Sequence, residues 1–320
     1  MTTHAATSGA PPYRTVAASA LADTTAPLRW LADGLFLRGG AGILGGAPKS
    51  CKSFLALDLC VAVASQTSCA GSFSVAEKGR VTLLCAEDPD AVIVERLESL
   101  ARSRALRLAD LPVDVIVERG VRLPDGLTRL AATIDATKPA LLLLDPLIRL
   151  HRADENSAAE MSVILDGLRE LARASGTAIL LVHHARKASG ASGGAALRGS
   201  SDLHAFGDSN LYLRRVGQDV LELKIEHRAT ACPPPLRIKL AADERDHTAS
   251  FVPVLPERDA DDVLAPKIVT LLEAATGPLS ARDLRDKLGV RNEIVGRALR
   301  QLDERGRICR VGREGWSLRT

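Results

Sequence analysis

Aromatic residues are scarce, 3% of 320, which argues against recognition through a platform of stacked bases. The six cysteines (51, 60, 69, 85, 232 and 309) form no CxxC pair and have no histidine at ligand spacing. Neither a zinc site nor a disulfide framework is expected, and reduced thiols fit the cytoplasm. No uninterrupted apolar run approaches 18 residues; the longest candidates, such as Ala140–Leu144, are strand-sized. The first 26 residues form a weakly polar Ala/Thr/Ser/Pro stretch without the basic-then-apolar order of a secretory signal. A soluble cytoplasmic protein without membrane contact is expected, opening on a flexible leader over residues 1–27.

What is present is ordinary in amount and uneven in place. Apolar residues make up 46% and charged residues 25%, enough for a substantial core. The length suggests two domains, or one large domain with an appendage. The net charge is +3, but Pro266–Thr320 holds twelve Lys/Arg against seven Asp/Glu, so the rest of the chain sums to −2. The basic character belongs to the tail.

From Leu28 onward, short apolar runs alternate with helical patterns, the signature of a parallel α/β sheet. Strands are expected at Ala41–Leu44, Arg80–Cys85, Val113–Val117, Ala140–Leu144 and Thr177–Val182. Helices are expected at Lys52–Ser65, Ala91–Arg104, Leu127–Thr137 and Ala158–Ser175. After Gly199, alternating patterns at Leu211–Arg215, Val220–Glu226, Leu236–Leu240 and Thr248–Val252 predict an antiparallel extension of the sheet. Prolines and an acidic cluster then mark a linker over residues 256–265, between a core over 28–255 and a small domain over 266–320.

Gly46-Ala47-Pro48-Lys49-Ser50-Cys51-Lys52-Ser53 follows an apolar strand and opens a helix. The phosphate-loop pattern GxxxxGK[ST] has this strand–loop–helix setting. Backbone N–H groups and the helix start would hold the β-phosphate of ATP, Lys52 would reach the β/γ oxygens, and Ser53 would ligate Mg²⁺. The departure is Cys51 at the second glycine position, where a side chain crowds the backbone's approach to phosphate. Downstream, Leu141-Leu-Leu-Leu-Asp145 ends an apolar strand in an acid, the pattern of a carboxylate that holds Mg²⁺ at the strand's C-terminal edge. A strand-end Asp capping a turn has the same local pattern. The second strand ends in Glu87-Asp88-Pro89, where Glu87 could polarise the attacking water and Asp88 could cap the following helix. The fifth ends in His183-His184, of which strand alternation lets only one face a nucleotide. Arg186–Gly199 is Gly/Ala/Ser-rich and basic, suited to phosphate backbones or to plain solvent exposure.

GGAPKSCKS, LLCAEDP, LLLLDPLIRLHRADENS, LLVHHARKASG, LRGSSDL and LKIEHR occur in the order seen in the plasmid RepA-type branch of RecA-like ATPases, which is similar to the hexameric replicative helicases. The resemblance spans roughly Leu28 to Leu240. It implies a RecA-like α/β core with a mostly parallel sheet, ATP and Mg²⁺ as cofactors, and a homo-oligomer, most simply a hexameric ring. It also implies Lys52 and Ser53 as phosphate and Mg²⁺ residues, Glu87 as catalytic glutamate, Asp145 as the second Mg²⁺ residue, and His184 as γ-phosphate sensor. Arg228 falls where such ATPases place an arginine finger that reaches a neighbour's nucleotide, a role Lys224 could share; an exposed strand-end arginine reads the same way.

In the tail, a helix at Lys267–Ala275 stops at Gly277-Pro278, Ser280-Ala-Arg-Asp283 resembles a capping box opening a second helix, and a third runs from about Asn292 to Arg305. Ile308, Val311, Trp316 and Leu318 flank a hairpin turn. Three helices and a small hairpin resemble a winged helix-turn-helix, with Arg297, Arg300 and Gln301 on the recognition helix and Arg310 and Arg313 in the wing. DNA is the expected partner of this domain and of the 186–198 loop, although winged helices also dock proteins. Two functions follow: an oligomeric DNA-dependent ATPase that translocates or unwinds, or a nucleotide-switched DNA-binding regulator with slow hydrolysis.

Overall fold

The computed structural model of the protein describes residues 13–22, 27–184, 201–254, 260–290, 292–312 and 315–319. The elements in chain order are α1 (Ala18–Ala22), β1 (Trp30–Ala32), β2 (Phe36–Leu37), β3 (Ala41–Gly46), α2 (Lys52–Ser65), β4 (Val81–Cys85), α3 (Asp90–Arg102), β5 (Val113–Val115), α4 (Leu127–Thr137) and β6 (Leu141–Asp145). They continue with α5 (Ala158–Ser175), β7 (Ala178–His184), α6 (Ser201–Phe206), β8 (Ser209–Arg215), β9 (Val220–His227), β10 (Leu236–Asp243) and β11 (Thr248–Pro253). The last elements are α7 (Ala260–Glu273), α8 (Ala281–Leu288), α9 (Asn292–Glu304), β12 (Ile308–Val311) and β13 (Gly315–Leu318).

Nine strands form one sheet in the order β11-β10-β9-β8-β3-β7-β6-β4-β5. From β8 to β5 all neighbours are parallel, while β9, β10 and β11 alternate antiparallel. The fold is therefore α/β with a mostly parallel sheet. β8 corrects one expectation: it runs parallel to β3 instead of opening the antiparallel extension, which begins at β9. Apolar/polar alternation reports which faces are buried and carries no strand direction. The Trp30–Leu37 hairpin and the short α1 inside the expected leader were not anticipated.

Successive strand residues point to opposite faces, and this sorts the core. Leu141 and Leu143 join α2, α3 and Phe251 in one cluster; Leu142 and Leu144 join Met161, Ile164 and Phe206 in another. The same alternation sends Asp145 and His184 to the α2 face and His183 to the α5 face. The β10–β11 hairpin folds over to pack on α3.

A third cluster draws only on the C-terminal segment, with Ile268, Leu284, Val295, Leu299 and Ile308 among its buried members. The Ser280–Asp283 capping box forms as expected. α7 differs: it starts at Ala260 and carries Pro266 inside, so part of the expected linker is helical. Proline ordinarily breaks a helix interior by removing an N–H and crowding the preceding turn, which is why the sequence reads as a boundary there. Among the described residues no helix is long and apolar enough to cross a membrane.

Candidate nucleotide-binding site

The loop between β3 and α2 closes on itself. Ser50 Oγ donates to the Ala47 carbonyl at 2.8 Å, and Lys52 Nζ donates to the same oxygen at 2.7 Å. Ala47, Pro48 and Lys49 are exposed at its tip, while Ser50 and Lys52 are buried. Gly46 is needed for space: a Cβ there would lie 2.4 Å from the Leu213 carbonyl oxygen. Lys49 and Cys51 both adopt φ 61°, in the left-handed region that favours glycine. Cys51 is half-buried and, like Phe54, packs against the α2-side core. Cys51 therefore occupies the glycine-like conformation with its side chain partly accommodated by the core. No side chain caps the start of α2, so its first N–H groups have no side-chain partner and suit an anion.

A cleft of about 310 Å³ opens beside this loop at the C-terminal edge of the sheet. Lys49 to Phe54, Glu87, Asp88, Arg96, Asp145 and His184 all line it. Register explains the convergence: Gly46 is level with His184 across β3 and β7, and Cys85 with Asp145 across β4 and β6. A larger cavity of about 640 Å³ lies between the chain after β5 and α4, away from these groups.

Burial dominates the electrostatics. Asp145, 6% exposed, has its carboxyl pushed up to about 6 by burial, opposed by a hydrogen bond from Ser53 and by Lys52. Burial lowers Lys52, while Asp145 and Cys51 pull it back up. Burial and the neighbouring Lys52 and His183 hold His184 low, favouring a neutral imidazole. Cys85 is pushed up to about 12 by burial and by Asp145, which makes it an inert thiol. A buried carboxylate, one serine hydroxyl and a buried ammonium at a phosphate-type loop fit a hard divalent cation with phosphate oxygens. Ser53 and Asp145 could hold the cation.

Glu87 sits exposed at the mouth, where Arg149 Nη2 donates to its Oε1 at 3.1 Å. Asp88 does not cap α3. The cap position is Pro89, without a side-chain bond, and Asp88 pairs with Arg96, whose guanidinium lies 5.5 Å from the Phe54 ring centroid. Sequence reasoning missed Arg96, which lines the cleft, and Arg149, which reaches Glu87 at its mouth; both arrive through tertiary packing that no local pattern encodes. Arg228 does not line the cleft. It follows β9 at the opposite sheet edge, where its guanidinium donates to the Ala205 carbonyl and its N–H to the Asp208 carbonyl. Lys224 pairs with Glu226 at 2.7 Å. Arg300 and Arg310 are exposed and Gln301 half-buried. The 186–198 loop and Arg313 lie outside the described residues, as does the side chain of Arg297.

Among solved structures, one titled as a DnaB-like replicative helicase and its interactions with primase matches with a TM-score of 0.51 at 16% identity. The match covers 67% of this chain and 57% of that one, so the chain spans little more than half of that structure's length. At this identity the likeness concerns the fold, a RecA-like core. The AAA domain family matches residues 7–190, more than half of the sequence. The chain thus belongs to the AAA domain family, with the fold and loop of a P-loop ATPase.

Proposed function

We propose that the protein is an oligomeric, ATP-hydrolysing DNA-binding protein of the RepA type that translocates on or unwinds DNA. The observation that carries this reading is the convergence of Lys52, Ser53, Glu87, Asp145 and His184 on one cleft. Lys52 neutralises the β/γ-phosphates, with the backbone of Gly46 to Cys51 around them. Ser53 and Asp145 would hold Mg²⁺, which when bound would supply further neutralisation of phosphate charge. Glu87, at the mouth, orients and deprotonates the attacking water. A neutral His184 donates a hydrogen bond towards the γ-phosphate.

Arg228 lies at the sheet edge away from its own cleft, so any role on phosphate is in trans, on a neighbouring subunit. That requires an oligomer, most simply a closed hexameric ring. We further assign residues 28–255 to the ATPase domain and 266–320 to a winged helix-turn-helix. Duplex would be contacted by Arg297, Arg300 and Gln301 on α9 and by Arg310 and Arg313 of the hairpin, with the 186–198 loop as a second basic contact. The alternative reading, a nucleotide-switched DNA-binding regulator or loader with slow hydrolysis, draws support from Cys51 at the glycine position and from Arg149 on Glu87.

ATP turnover measured without DNA, with single strands and with duplex, alongside strand separation, discriminates the two. DNA-stimulated turnover with unwinding supports the motor. Nucleotide-dependent DNA binding with negligible turnover supports the switch.

A further inference from the structure

Two pieces of the sequence motifs have no part in the assignment above: the run His151–Ser157 and the first histidine of the pair ending β7. The fold brings them together behind the cleft. β7 is paired on both sides only up to Leu181, opposite Leu144 of β6; beyond it, Val182, His183 and His184 follow β3 alone. Among the described residues, the end of the strand that carries His184 is thus laddered to β3 and not to β6.

His183 points away from the nucleotide face. Its side chain is 1% exposed, and its Nδ1 lies 3.6 Å from Glu155 Oε1. The same oxygen is 4.0 Å from Nε2 of His151, whose side chain is fully buried. Glu155 itself stands on an ordered turn. Asp154 Oδ1 accepts from the Asn156 N–H at 3.0 Å, and Ser157 caps α5 through the Glu160 N–H. Three ionisable groups withdrawn from water around one carboxylate oxygen cost free energy that apolar packing would not. Here they tie the turn after β6 to the half-supported end of β7.

We propose that Glu155 is a positioning residue for the nucleotide site: with His151 it clasps His183 from behind the sheet and thereby fixes His184 in the cleft. The inference rests on the reading of His184 as a γ-phosphate contact. The separations of 3.6 and 4.0 Å are close polar contacts, longer than hydrogen bonds.

The test compares full-length wild type with Glu155→Ala, Glu155→Gln, His184→Ala and the Glu155→Ala/His184→Ala double variant. Turnover and binding of fluorescent ATP and ADP analogues are measured for each. Glu155→Ala should lower kcat at least about tenfold and erode the preference for ATP over ADP, with ADP affinity within about threefold of wild type. The double variant should be no slower than His184→Ala alone, because Glu155 acts through that residue. If Glu155→Ala does not fold, Glu155→Gln, which keeps the volume and loses the charge, should still lower kcat at least about threefold. Wild-type turnover and ATP preference in the folded Glu155 variants would overturn the clasp, as would losses that multiply in the double variant. Where wild type itself shows no turnover, the ATPase reading fails, and the ATP/ADP preference alone decides on Glu155.

Discussion

Asp145 makes the sharpest demand of any single residue. Its folded-state pKa, raised from 3.8 to about 6, means that the folded chain retains a proton between those values that the unfolded chain has released. The contribution of this group to stability therefore falls as pH rises from about 4 to about 6, and is least favourable above. Asp145→Asn should raise the Tm of the nucleotide-free protein at about pH 7.5, with the gain shrinking towards pH 4. It should also abolish the Mg²⁺-dependent part of nucleotide affinity. An Asn variant that melts below wild type at neutral pH would make the carboxylate a stabilising group. Lys52→Ala should remove ATP turnover and leave the fold intact, since the ammonium's one hydrogen bond is to its own loop. Cys51 tests the loop differently. Left-handed backbone costs a non-glycine residue about 1–2 kcal/mol, while glycine adds unfolded-state entropy of up to about 1 kcal/mol. Cys51→Gly should therefore shift stability by no more than about 2 kcal/mol, and its readout is nucleotide affinity, expected to rise. Alkylation of Cys51 should be slowed by bound ATP.

At the scale of elements, α8 carries a reciprocal cap that α2 and α3 lack. Ser280 and Asp283 exchange hydrogen bonds reciprocally at the start of α8, with Ser280 N–H donating to Asp283 at 3.0 Å and Asp283 N–H to Ser280 Oγ at 3.2 Å. Ser280→Ala should cost roughly 1 kcal/mol. That loss should appear in hydrogen exchange of α7–α9 and not in ATP turnover, because the cluster they bury shares no residue with those flanking the large sheet. A matching fall in turnover would mean that the two parts are energetically coupled.

For the whole molecule, the opposite placement of Arg228 and the cleft sets the experiment. Arg228→Ala should bind nucleotide normally and hydrolyse poorly. Mixing it with Lys52→Ala subunits should recover turnover at interfaces where one subunit supplies the arginine and the other an intact loop. No recovery in assemblies confirmed to be mixed would remove the trans role. Truncation after Val254, ahead of α7, is cleaner than a cut inside that helix and removes the basic tail. It should cost most duplex affinity and preserve basal turnover. In the full chain, neutralising one phosphate-contacting arginine should lower the salt slope of binding by about one. Equal duplex affinity after truncation would shift DNA contact to the 186–198 segment.

The sequence by itself determined the elements that carry a local period or a local chemical pattern. The bounds of α4 and α5 match their apolar patterns, because a one-sided helix writes its burial into 3.6-residue spacing, while α2, buried on nearly every face, shows instead as a near-continuous apolar run after the loop. The loop from Gly46 to Ser53 was legible because a phosphate-type turn needs its residues contiguous, and the alternation at His183-His184 correctly sent one imidazole each way. Tertiary structure alone decided the rest. Strand direction leaves no mark on hydrophobic alternation, so β8 was read antiparallel. Asp88 looked like a cap until Arg96, eight residues further on in α3, proved to be its partner. Arg149 on Glu87 and Glu155 behind His183 join residues 62 and 28 positions apart. Such pairs are set by which strands lie side by side, and nothing in the chain near either residue records the order of the sheet.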